Sequence, residues 1–217
     1  LEKTKYKTKF INSYDVIKWN LDKVYLLGLE KKGINIAPTV LIKKNQHIPL
    51  KKLFEDTHWN EAVLKPTVSG AARHTYRISK YNYNDYEEIF KKLIIEEDFL
   101  FQEFMEKIIT DGEISLILIG GKYTHAVKKI AKKGDFRVQD DHGGKVKIYH
   151  ANKKEIEFAE KCINNCSEIP LYARVDIVYD NNNKLSLGEL ELIEPELWFR
   201  NYKESAKLLA NEILKKI

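Results

Sequence analysis

The chain has 217 residues, a net charge of +5 and 32% charged residues, enough for one large or two small domains with a buried core. No apolar run reaches transmembrane length and no signal-peptide pattern is present. The mild positive charge suits anionic small ligands. With no basic stripe interleaved with aromatics and no zinc-finger spacing, it does not argue for nucleic acid.

Residues 1–11 are basic and polar and read as a linker or truncated start, which leaves a preceding domain expected but not visible. Asn12 to Lys18 predicts a short turn or helix. Asn20 is a candidate N-cap for a helix over 21–32 that stops at Gly33. A strand is expected at 39–43, a short helix at 50–55, and a strand at 61–65 that ends at Pro66. A loop over 67–73 follows, with small residues including Ser69 and Gly70. Thr75 to Ser79 reads as a strand. Asn84 or Asp85 caps a helix carrying Tyr86, Ile89, Phe90 and Leu93 at helical spacing.

The second half opens on an apolar strand, Phe99 to Phe104. Two strands, 113–119 and 122–130, flank Gly120-Gly121, a two-residue hairpin signal. A segment over 131–144 has charged residues and glycines and no amphipathic period, as expected of a loose loop. A strand over 145–149 and a helix capped by Asn152 come next. A final helix over 205–217 places Ala206, Leu209, Ala210, Ile213 and Leu214 on one apolar face. The order predicts an α+β fold: an N-terminal lobe over 12–98 and a C-terminal lobe over 99–217, with a ligand cleft between them.

The stretch that organises the chain is LYARVDIVYDNNNKLSLGELELIEPELWF, residues 171–199. It reads as a β-hairpin around an Asn-rich turn. Tyr172, Arg174, Asp176 and Val178 share one face, and Glu189 and Glu191 share a face of the second arm. An even-numbered loop, such as 181–184, would set Asp176 across from Glu189 and Arg174 across from Glu191. Three acids on one face repel one another unless something positive sits among them, and a hard divalent cation such as Mg²⁺ is the expected partner. The plain alternative is a hairpin with a solvated acidic face. Elsewhere, Lys65 ends a strand before a small-residue loop that can approach phosphates, although the P-loop pattern is absent. Gln102, Glu103 and Phe104 end a buried strand whose free backbone groups can serve an adenine edge. Lys129, Arg137 and His142 to Gly144 form a basic, Gly-containing stretch suited to an anion. Cys162 and Cys166 are expected to be reduced thiols of an intracellular, cytoplasmic protein.

The ordered series N-L-D-K at 20–23, V-L-K-P at 63–66, Q-E-F at 102–104, G-D-F-R-V-Q-D-D-H-G-G at 134–144, A-R-V-D-I-V at 173–178 and E-L-E-L-I-E-P at 189–195 resembles the ATP-grasp superfamily. It is most similar to the glutathione-synthetase-like branch and, within that, to the D-cycloserine-synthetase-like ligases. The resemblance covers residues from about Phe10 to about Phe199. It implies an ATP-dependent carboxylate–amine ligase that acts through an acyl phosphate on small amino-acid-like substrates, with ATP and Mg²⁺ as cofactors. It implies that Lys23, Lys65 and the loop carrying Ser69 and Gly70 hold phosphates. It places adenine at Gln102, Glu103 and Phe104, and ribose at Glu113. Lys129 and Arg137 match basic residues near the transferred phosphate, and Asp176, Glu189 and Glu191 match Mg²⁺ ligands. Arg174 and Glu194 are the candidates for contacting the second substrate. The one glycine of TVSGAARHTY departs from a loop that has several in glutathione synthetase. The family's N-terminal substrate domain is not visible in this sequence. An ATP-grasp kinase, or a module that binds a nucleotide or another anionic partner without catalysis, are the alternatives. Neither a membrane nor nucleic acid is expected as a partner, and the reading leaves room for a homodimer.

Overall fold

The computed structural model describes residues 2–70, 72–132 and 144–216, and divides them into two compact units. The smaller unit comprises Asp22–Leu27 and Ala37–Phe104. The larger comprises residues up to Leu21, Gly28–Ile36, and the chain from Met105 onward. The division therefore differs from a single break after residue 98. The strand at Phe99–Glu103 belongs to the smaller unit because it pairs on both sides with strands of that unit.

The smaller unit carries strands β1 (Thr39–Ile42), β2 (Glu61–Pro66), β3 (Tyr76–Ser79) and β4 (Phe99–Glu103), antiparallel in the order β1-β4-β2-β3. Strand β2 alternates as a half-buried strand should, with Ala62, Leu64 and Pro66 inward. Helices α3 (Leu50–Thr57) and α4 (Asn84–Leu93) cover the sheet with Leu50, Leu53, Phe54 and Phe90. Aromatic pairs fill the space between them: Phe54 meets Phe101 edge-on at 5.1 Å and Trp59 stacks on Phe101 at 5.4 Å. Neither Asn84 nor Asp85 caps α4. The helix begins at Asn84 itself, after Tyr83, and no side chain caps it.

In the larger unit β5 (Glu113–Ile119), β6 (Lys122–Ile130), β7 (Lys145–Tyr149), β8 (Tyr172–Tyr179) and β9 (Leu185–Glu191) form one antiparallel sheet in the order β7-β6-β5-β8-β9. The β5–β6 turn is as expected, with both glycines at positive φ, 59° and 80°. Helix α6 (Lys153–Asn164) starts with a capping box between Asn152 and Glu155 and packs on β5, β6, β8 and β9 through Ala159, Cys162 and Ile163. A short helix α5 (Lys107–Thr110) lies against β8 and has no apolar stripe to announce it. Helix α7 (Lys203–Leu214) lies on β5, but its apolar face is not buried as expected. Leu209 is half-buried, Ser205 is buried, and Leu214 is 67% exposed.

The expected turn or helix over 12–18 is α1 (Tyr14–Asn20), capped by Ser13, and the expected helix over 21–32 begins only at Tyr25, as α2 (Tyr25–Lys31). Asn20 is not a cap. It is buried, its amide donates to the Leu190 carbonyl at 2.7 Å, and its oxygen accepts from the Leu192 N–H at 3.0 Å. Asn12 acts alike, donating to Leu192 O and accepting from Leu171 N–H. Two asparagines thus replace a neighbouring strand along the end of β9, where backbone groups would otherwise be buried without partners. Among the described residues no helix is long and apolar enough to cross a membrane.

Candidate active site

The register of the larger sheet assembles one face. Strand pairing sets Glu113 opposite Lys129, Ser115 opposite Asp176, Asp176 opposite Glu189, and Arg174 opposite Glu191. Because side chains at i and i+2 share a face, Glu113, Ser115, Lys129, Arg174, Asp176, Glu189 and Glu191 all stand on the same side. The opposite side carries Leu116, Val175 and Leu190, all buried.

The way β8 and β9 reach this register was not expected. Tyr179 pairs with Leu185, so the loop is 180–184 and its length is odd. A regular ladder from that loop would set Gly188 opposite Asp176 and turn both glutamates to the other face. A register shift between Asp176 and Ile177 absorbs Gly188 as an extra residue and brings Glu189 across from Asp176. A Cβ at Gly188 would lie 3.4 Å from the Asp176 carbonyl.

The face is not a solvated acidic surface. Asp176 is 1% exposed and Arg174 8%. Asp176 Oδ1 accepts from Ser115 Oγ at 2.6 Å. Asp176 Oδ2 accepts from Lys129 Nζ at 3.0 Å and from Arg174 Nη2 at 2.9 Å. Lys129 also pairs with Glu113, and Arg174 with Glu191. The positive partners among these acids are therefore two side chains of the same sheet. Burial alone would raise Asp176, but Arg174 and then Lys129 hold it well below the usual carboxylate range. Burial first, then Asp176, pushes Glu191 up to about 8. Burial raises Glu113 to about 7 against the pull of Lys129. Asp176 and Glu113 overcome burial at Lys129 and keep it above its ordinary value. Four carboxylates thus meet two cations. Carboxylate oxygens are the donor type that a hard cation such as Mg²⁺ takes. No group of three acidic, His or Cys side chains among the described residues already forms a metal cage. Both oxygens of Asp176 are already occupied, Oδ1 by Ser115 and Arg174 Nε and Oδ2 by Lys129 and Arg174.

Glu113 is accordingly an inward, ion-paired group and not a solvated strand start. Arg137 and His142 lie outside the described residues, and Glu194 is exposed. Ser115 was not anticipated; its place two residues from Glu113 was the available signal. Trp198 was also missed. It is buried beneath Arg174 and Lys129, with its ring centroid 5.1 Å from Arg174 Cζ and 5.8 Å from Lys129 Nζ.

The smaller unit holds the remaining candidates. Lys65 Nζ donates to Gln102 Oε1 at 3.1 Å, and the amide nitrogen of Gln102 donates to Thr39 Oγ1 at 2.9 Å. Lys23 Nζ donates to the Ser69 carbonyl at 2.6 Å, so this lysine fastens the loop that carries Ser69 and Gly70. The same loop is braced by a bidentate Arg73–Glu97 pair, both contacts at 2.7 Å. The expected free backbone at Gln102 to Phe104 is corrected in part. The Glu103 N–H donates to the Pro38 carbonyl and the Phe104 N–H to the Glu61 carbonyl. The Phe104 ring is covered by the Arg77 guanidinium at 4.0 Å.

Comparison with known proteins adds four findings. The family described as prokaryotic glutathione synthetase, ATP-grasp domain, matches residues 22–186. The cycloserine biosynthesis protein DcsG of Streptomyces lavendulae is 24% identical over 211 residues, which cover 90% of this chain and 69% of that protein. Among solved structures, D-cycloserine synthetase DcsG superposes with a TM-score of 0.86 at 21% identity, over 99% of this chain and 76% of that one. A D-alanine–D-alanine ligase from Bacillus anthracis complexed with ATP gives 0.71 at 13% identity, over 94% and 68%. These likenesses establish the fold as ATP-grasp.

Proposed function

This chain belongs to the prokaryotic glutathione synthetase ATP-grasp domain family and is an ATP-dependent ligase, and from that premise we propose how its residues share the joining of a carboxylate to an amine. ATP-grasp ligases use ATP and Mg²⁺. The reading for this chain is that the γ-phosphate of ATP passes to a carboxylate of a small amino-acid-like substrate. The amine then attacks the acyl phosphate, and ADP and phosphate leave. The observation that supports it most is the buried pair of cations, Lys129 and Arg174, held among four carboxylates on one sheet face.

Lys129 and Arg174, with Arg137, are assigned to the oxygens of the transferring phosphoryl group and the substrate carboxylate. Fixed cations there offset charge that develops in the transition state, without reorganising at the moment of reaction. Lys23, Lys65, Ser69 and Gly70 are assigned to the ATP phosphates. Gln102, Glu103 and Phe104 are assigned to adenine through groups other than the Glu103 and Phe104 amides. Glu113 is assigned to ribose and Glu194 to the second substrate. Asp176, Glu189 and Glu191 would hold Mg²⁺, which when bound neutralises phosphate oxygens. No nucleophilic side chain is needed, because positioning and electrostatics carry phosphoryl transfer.

The test incubates the protein with MgATP and a panel of amino acids and small carboxylic acids, with hydroxylamine in place of the amine. A hydroxamate that appears together with ADP for one carboxylate class is the expected result, lost on Arg174→Met. ADP formed with a phosphorylated hydroxyl product, and no hydroxamate, would overturn the ligase reading.

A further inference from the structure

Trp198 is 4% exposed, yet its indole N–H meets no acceptor among the described residues. Its φ is 46°, in the left-handed region that a bulky side chain rarely enters. Both features cost stability, and an uncompensated buried donor calls for a reason.

The surrounding turn is built to hold this conformation. Glu196 Oε1 accepts from the Trp198 N–H at 2.6 Å, and the Trp198 carbonyl accepts from the Asn201 N–H at 2.8 Å. Next door, His125 Nε2 donates to the Leu197 carbonyl at 3.0 Å. The ring packs with Ile117, Ile119 and Val127. A phenylalanine would fill that apolar space and leave no orphaned donor. What an indole adds is the strongest π face among the aromatic side chains for a cation.

Two cations use that face. Lys129 Nζ and Arg174 Nη2 both converge on Asp176 Oδ2, at 3.0 and 2.9 Å. Two like charges so close repel one another. Asp176 offsets that repulsion, Glu113 and Glu191 each pair with one of the two cations, and the indole is a further partner that both share. If Asp176 turns an oxygen toward a metal, the ring is the partner that both cations keep.

We infer that Trp198 is a positioning residue for ligation: its indole face holds the Arg174 guanidinium and the Lys129 ammonium in place. The inference rests on the reading of those two cations given under the proposed function. A residue that acts this way should affect turnover more than nucleotide binding, and should do so through its π face and not its volume.

The test compares Trp198→Phe with Trp198→Leu in the full chain. The phenylalanine variant, whose π face is weaker, should fall between the wild type and the leucine variant in kcat. The leucine variant should lose about tenfold or more in kcat while KM for ATP stays within about twofold. Equal turnover in the two variants, or losses that follow melting temperature alone, would overturn the inference. A second arm covers a leucine variant that fails to fold. With Trp19 and Trp59 changed to Phe, Trp198 is the sole tryptophan, and Arg174→Met should shift its emission. Unchanged emission would overturn the contact. If instead Arg174→Met leaves turnover intact while the emission shifts, the contact stands. The functional reading of Arg174 is then wrong, and the positioning role falls with it.

Discussion

The imidazole of His125 is buried between the Leu197 carbonyl, Thr124 Oγ1 at 2.9 Å and the Tyr202 ring at 5.3 Å. Burial lowers its pKa from the ordinary 6.5, and the bond to Leu197 offsets only part of that. The folded state therefore gives up the proton more readily than the unfolded chain does. Stability from this residue is present above pH 6.5 and is lost as pH falls below it, because the unfolded chain binds the extra proton. The melting temperature should drop by a few degrees as pH is lowered from about 7 to about 5. His125→Asn should remove that component of the drop. An unchanged acid limb in the variant would show that His125 titrates the same way folded and unfolded. The Leu197 carbonyl that His125 holds lies one residue from the ring beneath Arg174 and Lys129.

At the scale of elements, the register of the β8–β9 hairpin depends on the bulge at Gly188. A five-residue loop and a regular ladder would bury the acids on the wrong side, and the bulge at Gly188 reverses this. A β-branched residue there favours the regular ladder and adds a Cβ against the Asp176 carbonyl. Gly188→Val should lower turnover on the order of a hundredfold, the cost of misplaced catalytic groups. It should move the melting temperature far less than a core truncation does. Wild-type turnover in that variant would mean that the register of Glu189 and Glu191 does not matter to the reaction. Asn12 and Asn20 support the same element from outside, by bonding the backbone around Leu171, Leu190 and Leu192.

For the whole molecule, the ATP-grasp family predicts a stability response to nucleotide. A non-hydrolysable ATP analogue with Mg²⁺ at a hundred times its Kd should stabilise the fold by about 2.7 kcal/mol. In a chain of this size that raises the melting temperature by about 5–10 °C. No shift at saturating analogue would remove nucleotide binding and favour a module that holds some other anion. The two thiols do not bear on this response. Cys162 is buried in α6, Cys166 is only partly exposed, burial pushes Cys166 up to about 11, and both are free.

Much of this protein was legible in its residues alone. The alternation of β8 and β9, the Gly120-Gly121 turn and the Asn152 cap are local signals, set by side-chain period, positive φ and short-range hydrogen bonds. The ordered motifs were enough to point to the ATP-grasp family. Other features depend on partners far away in the chain. Asn20 resembles a cap because Asn is a good one, but its partners are backbone groups 170 and 172 residues on. The parity of the hairpin looked decisive from the loop, whereas a bulge inside β9 sets it. The identity of the cations among the acids was hidden as well. Lys129 reaches Asp176 across 47 residues of sequence, and only the pairing of β6, β5 and β8 brings them to one face. The sequence by itself determined the α+β character, most strands and the residue types of the site. Tertiary structure alone decided which charges neutralise which, because strand register and burial, and not neighbourhood in the chain, set the distances over which charges act.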